Sequence, residues 1–452
     1  MSSRYDRQER IWGPEGQNRL GASKIAIIGE DQAAFPAALN AVLLGLNARL
    51  LITGQSINGR YELGFPLQGR NLSEEYKIIL SQINPLVTTS QLSTAPESKL
   101  DSHLLEGVNA IIDTTNNGNS KEQGLEFAIK NNIPFISVSS TAGCVVIETG
   151  SCSQDFIGKP KGQFLAWPGG ALAVELAKRF IMGEHVPEKE PLYIKPGCIL
   201  PFSHPENGEE LKPNNGDLSD KTALVVGVGG QGCFAVPTLA ELNYRKVIYM
   251  DDKKVKDENL SRQPLYWDSV GEPKAEVCAK KHNLMARKEV AHALVKKFDE
   301  NFGLDEPVNI IYGLTDTTFS RMVMSSYASR HRIPFIAAGS DPGGVDFCTY
   351  VPGKTACYTH SYLGMLNSAK HEERQARLNC TENPNAQVVM PNCFAGSMAA
   401  IFSPYLFDGG RLPFSGRLTY RSGCSPAFGQ LPHKACNCHQ EGPLDLDITR
   451  QP

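Results

Sequence analysis

The chain of 452 residues is 41% hydrophobic, 21% charged and 8% aromatic, a soluble globular composition that excludes a disordered, collagen-like or coiled-coil chain. Its length predicts two or three domains with substantial cores. A formal net charge of −3 gives no global basic field, so nucleic acid is not an expected partner.

The opening residues, Met-Ser-Ser-Arg-Tyr-Asp-Arg-Gln-Glu-Arg, hold no apolar run and do not read as a secretory signal. Residues 33–51 form the longest apolar stretch, but Pro36, Asn40, Gly45 and Asn47 interrupt it. It predicts a core helix leading into a strand, not a membrane span. Twelve cysteines are too sparse for a disulfide scaffold, and their late clustering points to metal or catalysis in a reducing, cytoplasmic setting.

From Ser23 the chain runs SKIAIIG, a helix-like apolar segment and a second apolar strand; from Lys221 it runs KTALVVG, another such segment and another strand. Gly29 and Gly227 stand 198 positions apart, as do Thr53 and Asp251, while Pro134 and Pro334 stand 200 apart. A near-constant offset over these landmarks predicts two copies of one domain, since the period is domain-sized. Strand-like runs alternating with helical patterns predict βαβ units on parallel sheets. The expected fold class is therefore α/β, with two Rossmann-like doubly wound domains at residues 1–185 and 217–452. Residues 186–216, rich in Pro, Asn and Gly, are the expected linker.

The second copy carries a nucleotide pattern. A buried-strand run ends in Gly227-Val-Gly229-Gly230-Gln-Gly232, and a helix-like segment follows. Such glycines permit a tight turn and let backbone N–H groups approach phosphates at a helix N-terminus. Asp251, 19 residues after Gly232, ends the next strand where a carboxylate bonds ribose hydroxyls. The first copy has Gly29-Glu-Asp31-Gln-Ala-Ala34 in the loop and Thr53 in place of Asp251. Acids in that loop repel phosphate, so the first copy reads as degenerate and the second as intact.

After Asp251 come Asn259-Leu-Ser-Arg262-Gln263, then Gly271-Glu-Pro-Lys274, then Thr315-Asp316-Thr317. This series resembles the ubiquitin-activating-enzyme superfamily, whose ThiF/MoeB-type bacterial members adenylate sulfur-carrier proteins. The opening Tyr5-Asp6-Arg7-Gln8-Glu-Arg10, continuing to Gly16-Gln17 and Leu20, resembles the N-terminus of the same family. Together the likeness covers roughly residues 4–180 and 217–440.

The resemblance implies ATP and Mg²⁺ as cofactors and a carboxylate that attacks the α-phosphate of ATP. Asp251 would hold the ribose and Asn259 a polar contact, Arg262 and Lys274 the phosphates, and Asp316 the metal. In this family an N-terminal arginine reaches across a dimer to the partner's ATP. Here that residue is Arg7, with Arg10 nearby, and the two copies would form the dimer within one chain. Asn116 stands where Asp316 does in the second copy, so the first copy is the supporting half, as in eukaryotic enzymes that pair an inactive with an active half. Asp251-Asp252-Lys253 replaces the family's usual Asp-x-Asp, and Thr-Asp-Thr replaces Thr-Asp-Asn.

The resemblance also implies a structural Zn²⁺ held by two Cys-x-x-Cys pairs. The first slot has Cys357 and His360, and the second has Cys436-Asn-Cys438-His439. Either Cys436 with His439, or Cys438, would complete a tetrahedral set. Cys393 falls near a family cysteine that begins a helix, where a lowered pKa favours thiolate and transfer of the acyl group; a packed helix-start cysteine is the plainer reading. The polar stretch 358–391 takes the place of the family's crossover loop.

The expected function is adenylation of the C-terminal carboxylate of a small ubiquitin-like carrier protein or a ribosomal peptide. One alternative is a relative that activates a carboxylate on tRNA, against which the acidic balance argues. An NAD-dependent dehydrogenase would use Asp251 but leaves Asn259, Arg262, Lys274 and the N-terminal run unexplained. A scaffold would bind no ATP. A membrane partner is not expected, and association beyond the internal pseudodimer stays open.

Overall fold

A computed structural model of the chain describes residues 4–29, 33–91, 102–140, 143–152, 165–186, 191–196, 217–299, 302–303, 306–362, 365, 386–407, 414, 416–421 and 429–431. In chain order the first half comprises α1 (Asp6–Ala22), β1 (Lys24–Gly29), α2 (Ala34–Leu44), β2 (Asn47–Ile52), a hairpin of β3 (Tyr61–Glu62) and β4 (Phe65–Pro66), α3 (Leu72–Ile83) and β5 (Thr89–Gln91). It continues through β6 (Ala110–Asp113), α4 (Gly118–Asn131), β7 (Phe135–Ser140), β8 (Val145–Thr149), α5 (Ala166–Met182) and β9 (Leu192–Ile194).

The second half comprises β10 (Thr222–Val226), α6 (Gly232–Glu241), β11 (Lys246–Met250), α7 (Lys274–Ala286), β12 (Ala291–Leu294), β13 (Ile310–Gly313) and α8 (Thr318–Arg330). Then follow β14 (Phe335–Asp341), β15 (Gly344–Tyr350), α9 (Tyr358–Ser361), α10 (Val389–Leu406), β16 (Gly416–Arg421) and β17 (Gly429–Leu431).

The first sheet has the order β5-β2-β1-β6-β7-β8-β9 and the second β12-β11-β10-β13-β14-β15-β16-β17. In each, the first five strands are parallel and the remainder antiparallel. These are two Rossmann-like α/β units. The central strands are mostly apolar because helices cover both faces: every residue of β10 is buried. In the second sheet the chain runs from β10 outward to β11 and β12, then returns past β10 to β13. That reversal opens a crevice at the carboxyl ends of β10 and β13, the place where open α/β sheets bind ligands.

The stretch expected to link the units is partly ordered into the first. Leu192–Ile194 pairs antiparallel with β8 as the edge strand. Leu192 and Ile194 are buried while Tyr193 between them is half-buried. Its period of two seats the segment on the core, a signal the surrounding prolines obscure.

The halves share one interior. Helices α2 and α5 of the first pack against each other, as do α6 and α10 of the second, and α10 also packs on α5 and α2. Close approach depends on glycine at matching places: a Cβ on Gly170 of α5 would lie 2.6 Å from the Ala37 nitrogen, and one on Gly396 of α10 would collide with the Gln231 carbonyl. Trp167 stands edge-on to Phe35 and to Phe234, both at 6.2 Å between ring centroids. The hydrophobic cluster runs unbroken from Leu20 and Phe35 to Phe234 and Phe394.

The β3–β4 hairpin adds a second bridge. Phe65 stacks on Trp267 with centroids 3.9 Å apart, and the methylenes of Lys281 pass so near Gly64 that a Cβ there would sit 2.9 Å away. Burial, with the Glu241 carboxylate beside it, pushes the Glu62 carboxyl of this hairpin up to about 8. Among the described residues no helix is long and apolar enough to cross a membrane.

Candidate functional site

The loop between β10 and α6 is shaped by its glycines. Gly227 has φ +85, and a Cβ on it would lie 2.8 Å from Thr315 Cγ2 and 2.9 Å from the Leu314 carbonyl. A Cβ on Gly232 would strike the Gly227 carbonyl, and one on Gly230 would press on the Asn392 side chain at 3.0 Å. Gly229 differs: its nearest neighbour would be Asp316 Oδ1 at 3.8 Å. Three glycines thus close the turn, and the fourth lies open toward the Asp316 carboxylate.

Asp251 follows β11 and turns back to this loop. Its Oδ2 accepts the Val228 N–H at 3.0 Å and its Oδ1 accepts the Lys253 N–H at 2.9 Å. Each carboxylate oxygen has a second lone pair, so both can still accept hydroxyl donors. Asp252 is exposed.

Arg262, from the segment between β11 and α7, and Lys274, the first residue of α7, are each 5% exposed. The turn that carries Arg262 is built by Asn259, whose Oδ1 accepts the Lys256 N–H at 3.0 Å and whose carbonyl accepts the Arg262 N–H at 3.1 Å. Arg262 Nη1 donates to the Glu258 carbonyl at 2.8 Å and Nε donates to Gln387 Oε1 at 2.9 Å. Burial, with the like charge of Arg7, brings its guanidinium down to about 10 against the pull of Asp316 and Glu258. Lys274 Nζ donates to Gln263 Oε1 at 3.0 Å and lies 5.7 Å from the Tyr266 ring centroid. Burial lowers its pKa, opposed by Asp251 and Asp316.

Arg7, on α1 of the first half, belongs to the same cluster. Burial lowers its pKa, while Glu258 and Asp316, both in the second half, attract its charge. The start of α1 is tied to the Arg262 turn: Arg4 Nη2 donates to the Leu260 carbonyl at 3.1 Å and to the Ile83 carbonyl at 2.5 Å. The Gln387 N–H donates to the Arg7 carbonyl at 3.3 Å. Arg10 instead pairs with Asp6 at 3.1 Å on the surface of α1. Arg7, Arg262, Lys274, Asp251 and Asp316 therefore meet at the crevice, although they span most of the chain.

The corresponding place in the first half is chemically different. Thr53 Oγ1 donates to the Gly29 carbonyl at 3.5 Å, and Ala34 takes the position of Gly232. Asn116 is buried; its Nδ2 donates to the Ser140 carbonyl at 2.7 Å and its Oδ1 accepts the Ser140 N–H at 3.2 Å. Asp316, by contrast, is exposed. Asp31 lies outside the described residues.

Cys393 does not have the surroundings of a reactive thiolate. It lies beyond the first turn of α10, fully buried between the halves. Asn40 Nδ2 donates to its sulfur at 3.5 Å, and the thiol donates to the Trp167 carbonyl at 3.7 Å. Burial pushes it up to about 12 despite the Asn40 bond, because no water reaches a thiolate there. These are the surroundings of a packed cysteine, the plainer of the two sequence readings.

Of the zinc candidates, Cys357 Sγ and His360 Nδ1 lie 3.4 Å apart around the start of α9. Cys436, Cys438 and His439 lie outside the described residues, as does most of stretch 358–391. Among the described residues no group of three or more His, Cys, Asp or Glu side chains could hold a metal ion.

Several participants carried no sequence signal. Gln387 is 125 positions from Arg262, and Ser340 joins Asn392 at 2.7 Å and Gln231 at 2.8 Å beneath the glycine loop. Such groups are recruited by folding. Gln263 was within reach of sequence reasoning, since it completes the Asn-Leu-Ser-Arg-Gln run.

A family model described as the ThiF family matches residues 209–440. That span holds every second-half residue of the cluster; Arg7 lies outside it. SUMO-activating enzyme subunit 1 of Dictyostelium discoideum is 27% identical over 137 residues, 29% of this chain and 41% of that protein. Adenylyltransferase and sulfurtransferase UBA4 of Yarrowia lipolytica is 30% identical over 153 residues, 31% of this chain and 39% of that protein. The NEDD8-activating enzyme E1 regulatory subunit of Caenorhabditis elegans is 32% identical over 101 residues, 21% and 18% of the two chains. The matches span less than half the length of each of these relatives. A crystal structure of E. coli MccB aligns with a TM-score of 0.43 at 21% identity, covering 51% of this chain and 68% of that one.

Proposed function

The chain belongs to the ThiF family, and from that premise we propose that it is an adenylyltransferase that activates a carboxylate with ATP. The acceptor class is the C-terminus of a small ubiquitin-like carrier protein or a ribosomal peptide. Relatives named for SUMO activation, NEDD8 activation and adenylyl transfer support this class. The observation that carries the reading is the convergence of Arg7, Arg262 and Lys274 with Asp251 and Asp316 at one crevice.

The chemistry explains that composition. A carboxylate oxygen forms a bond to the α-phosphorus as the bond to the pyrophosphate oxygen breaks. The nucleophile is already an anion, so no general base is required. The difficulty is bringing a carboxylate to a polyanion, and preorganised cations meet it by bearing the charge that shifts onto the leaving oxygens. Arg262 and Lys274 are held by neutral carbonyl and amide oxygens, so their charges remain available to phosphate. Asp251 receives the ribose, and the Gly227–Gly232 loop admits phosphates to backbone N–H groups at the start of α6.

Mg²⁺ suits this donor set, since it is bound by one or two carboxylates together with substrate phosphates rather than by a full protein cage. Asp316, exposed opposite Gly229, would hold it, and the ion would neutralise phosphate oxygens. The first half supplies Arg7 and the packing surface, and lacks the carboxylates at Thr53 and Asn116. In this reading the two units act as an internal dimer with one working site. A structural Zn²⁺ on Cys357 and His360, completed by Cys436 with His439 or by Cys438, accompanies it; the 3.4 Å separation of the first pair supports half the site.

Substrate-dependent exchange of pyrophosphate into ATP, with candidate carriers and peptides, tests the reading. Exchange should appear with the true acceptor and fall by about 10³ in Lys274→Ala, the scale set by removing a phosphate-binding cation. Tight NAD binding without ATP binding would overturn it. Metal analysis of Cys357→Ser tests the zinc.

A further inference from the structure

Gln387 joins the two arginines of the site. Its side-chain oxygen accepts from Arg262 Nε at 2.9 Å, while its main-chain N–H donates to the Arg7 carbonyl at 3.3 Å. Arg7 and Arg262 come from different halves, and the like charge of Arg7 helps to lower the proton affinity of Arg262. Two guanidinium groups in electrostatic range drift apart unless something fixes them before an anion arrives. The Glu258 carbonyl at 2.8 Å from Nη1 and Gln387 Oε1 at Nε together fix the direction of the Arg262 fork. Both are neutral acceptors, so the fork is oriented without its charge being cancelled.

We propose that Gln387 is a positioning residue for ATP, holding the Arg262 guanidinium toward the phosphates and keying it to α1 of the first half, which carries Arg7. This rests on the reading of the crevice as an ATP site. It adds a requirement at position 387: an uncharged acceptor of glutamine length. A hydrophobic residue loses the orientation, and a carboxylate keeps it but neutralises Arg262.

The test is calorimetric titration of the full chain with ATP and MgCl₂, using Gln387→Ala, Gln387→Glu and each combined with Arg262→Ala. These substitutions keep the main-chain N–H and therefore the tie to Arg7, and circular dichroism checks that each variant is folded. Gln387→Ala should weaken ATP binding about tenfold, as the loss of one hydrogen bond to a charged group does. Gln387→Glu should weaken it further, and neither change should matter once Arg262 is alanine. A purely structural role predicts otherwise. It makes Gln387→Glu, which has nearly the same shape, bind like the parent protein, and it makes the Gln387→Ala loss persist in the Arg262→Ala background. Either result would overturn the inference, as would unchanged ATP binding by Gln387→Ala. A parent protein that binds no ATP would overturn the functional reading and this inference with it, so the two failures are distinguishable.

Discussion

Replacing Arg7 by alanine separates a site built across the two halves from one confined to the second. Arg7 is half-buried on α1, and its field reaches Arg262, Asp316 and Glu258. A unit charge about 6 Å from a phosphate, across an effective dielectric near 20, is worth ~3 kcal/mol. Its removal should therefore slow pyrophosphate exchange about a hundredfold. The fold should hardly notice. Helix α1 and its N-cap Tyr5 keep Gln8 Nε2 donating to the Leu43 carbonyl at 3.0 Å, Gln17 Nε2 donating to the Leu44 carbonyl at 3.0 Å, and the Tyr5 hydroxyl accepting from Asn84 Nδ2 at 2.8 Å. A half-exposed charge contributes roughly 0–1 kcal/mol to stability. The assay is exchange alongside thermal unfolding, with Arg7→Lys as a partner that retains charge without the planar fork. Exchange within about twofold of the parent protein in Arg7→Ala would refute the donated arginine, and a large fall in melting temperature would show that the loss is structural.

Other expectations follow from the same geometry. Cys393, buried with its thiol raised to about 12, should resist iodoacetamide in the native protein and react only on unfolding; rapid native labelling would show that water reaches it. The Glu62 carboxyl, raised from 4.5 to about 8, stays protonated in the fold where the unfolded chain ionises. Its contribution to stability is thus full below about 4.5 and is lost as pH rises through about 8. Glu62→Gln should make the melting temperature less pH-dependent between pH 5 and 9, and an unchanged pH profile would disprove the assignment. Trp167→Ala removes a side chain set between Phe35 and Phe234 and should cost ~3–5 kcal/mol. Because the core is continuous, one urea transition should shift as a whole; two transitions, with only one displaced, would show that the halves unfold separately.

The sequence by itself determined the elements and much of the chemistry. Apolar runs of strand length alternating with helical segments specify parallel sheets because only strands covered on both faces tolerate continuous burial, as at β10. The glycines at 227, 230 and 232 were legible as a spaced pattern, and close contacts at each leave no room for a side chain. Asp251, Arg262 and Lys274 were legible because they lie within one βαβ span and share a recognisable spacing. The edge strand Leu192–Ile194 was hidden because three alternating residues are too few to outweigh the prolines around them.

Tertiary structure decided what brings distant groups together or shuts them from water. Whether Cys393 is a thiolate or a packed thiol depends on Asn40 and Trp167, hundreds of positions away, and on burial that no local pattern encodes. The convergence of Arg7 with Asp316, and the link from Gln387 to Arg262, exist because α10 and α1 are carried to the same crevice by packing of the two halves. Spacing along a chain specifies local geometry, but the electrostatic environment of a charge is set by whatever folding places beside it. The candidate site was therefore half visible in the sequence, and its first-half arginine, expected from the family resemblance, is carried there by the packing of the two halves.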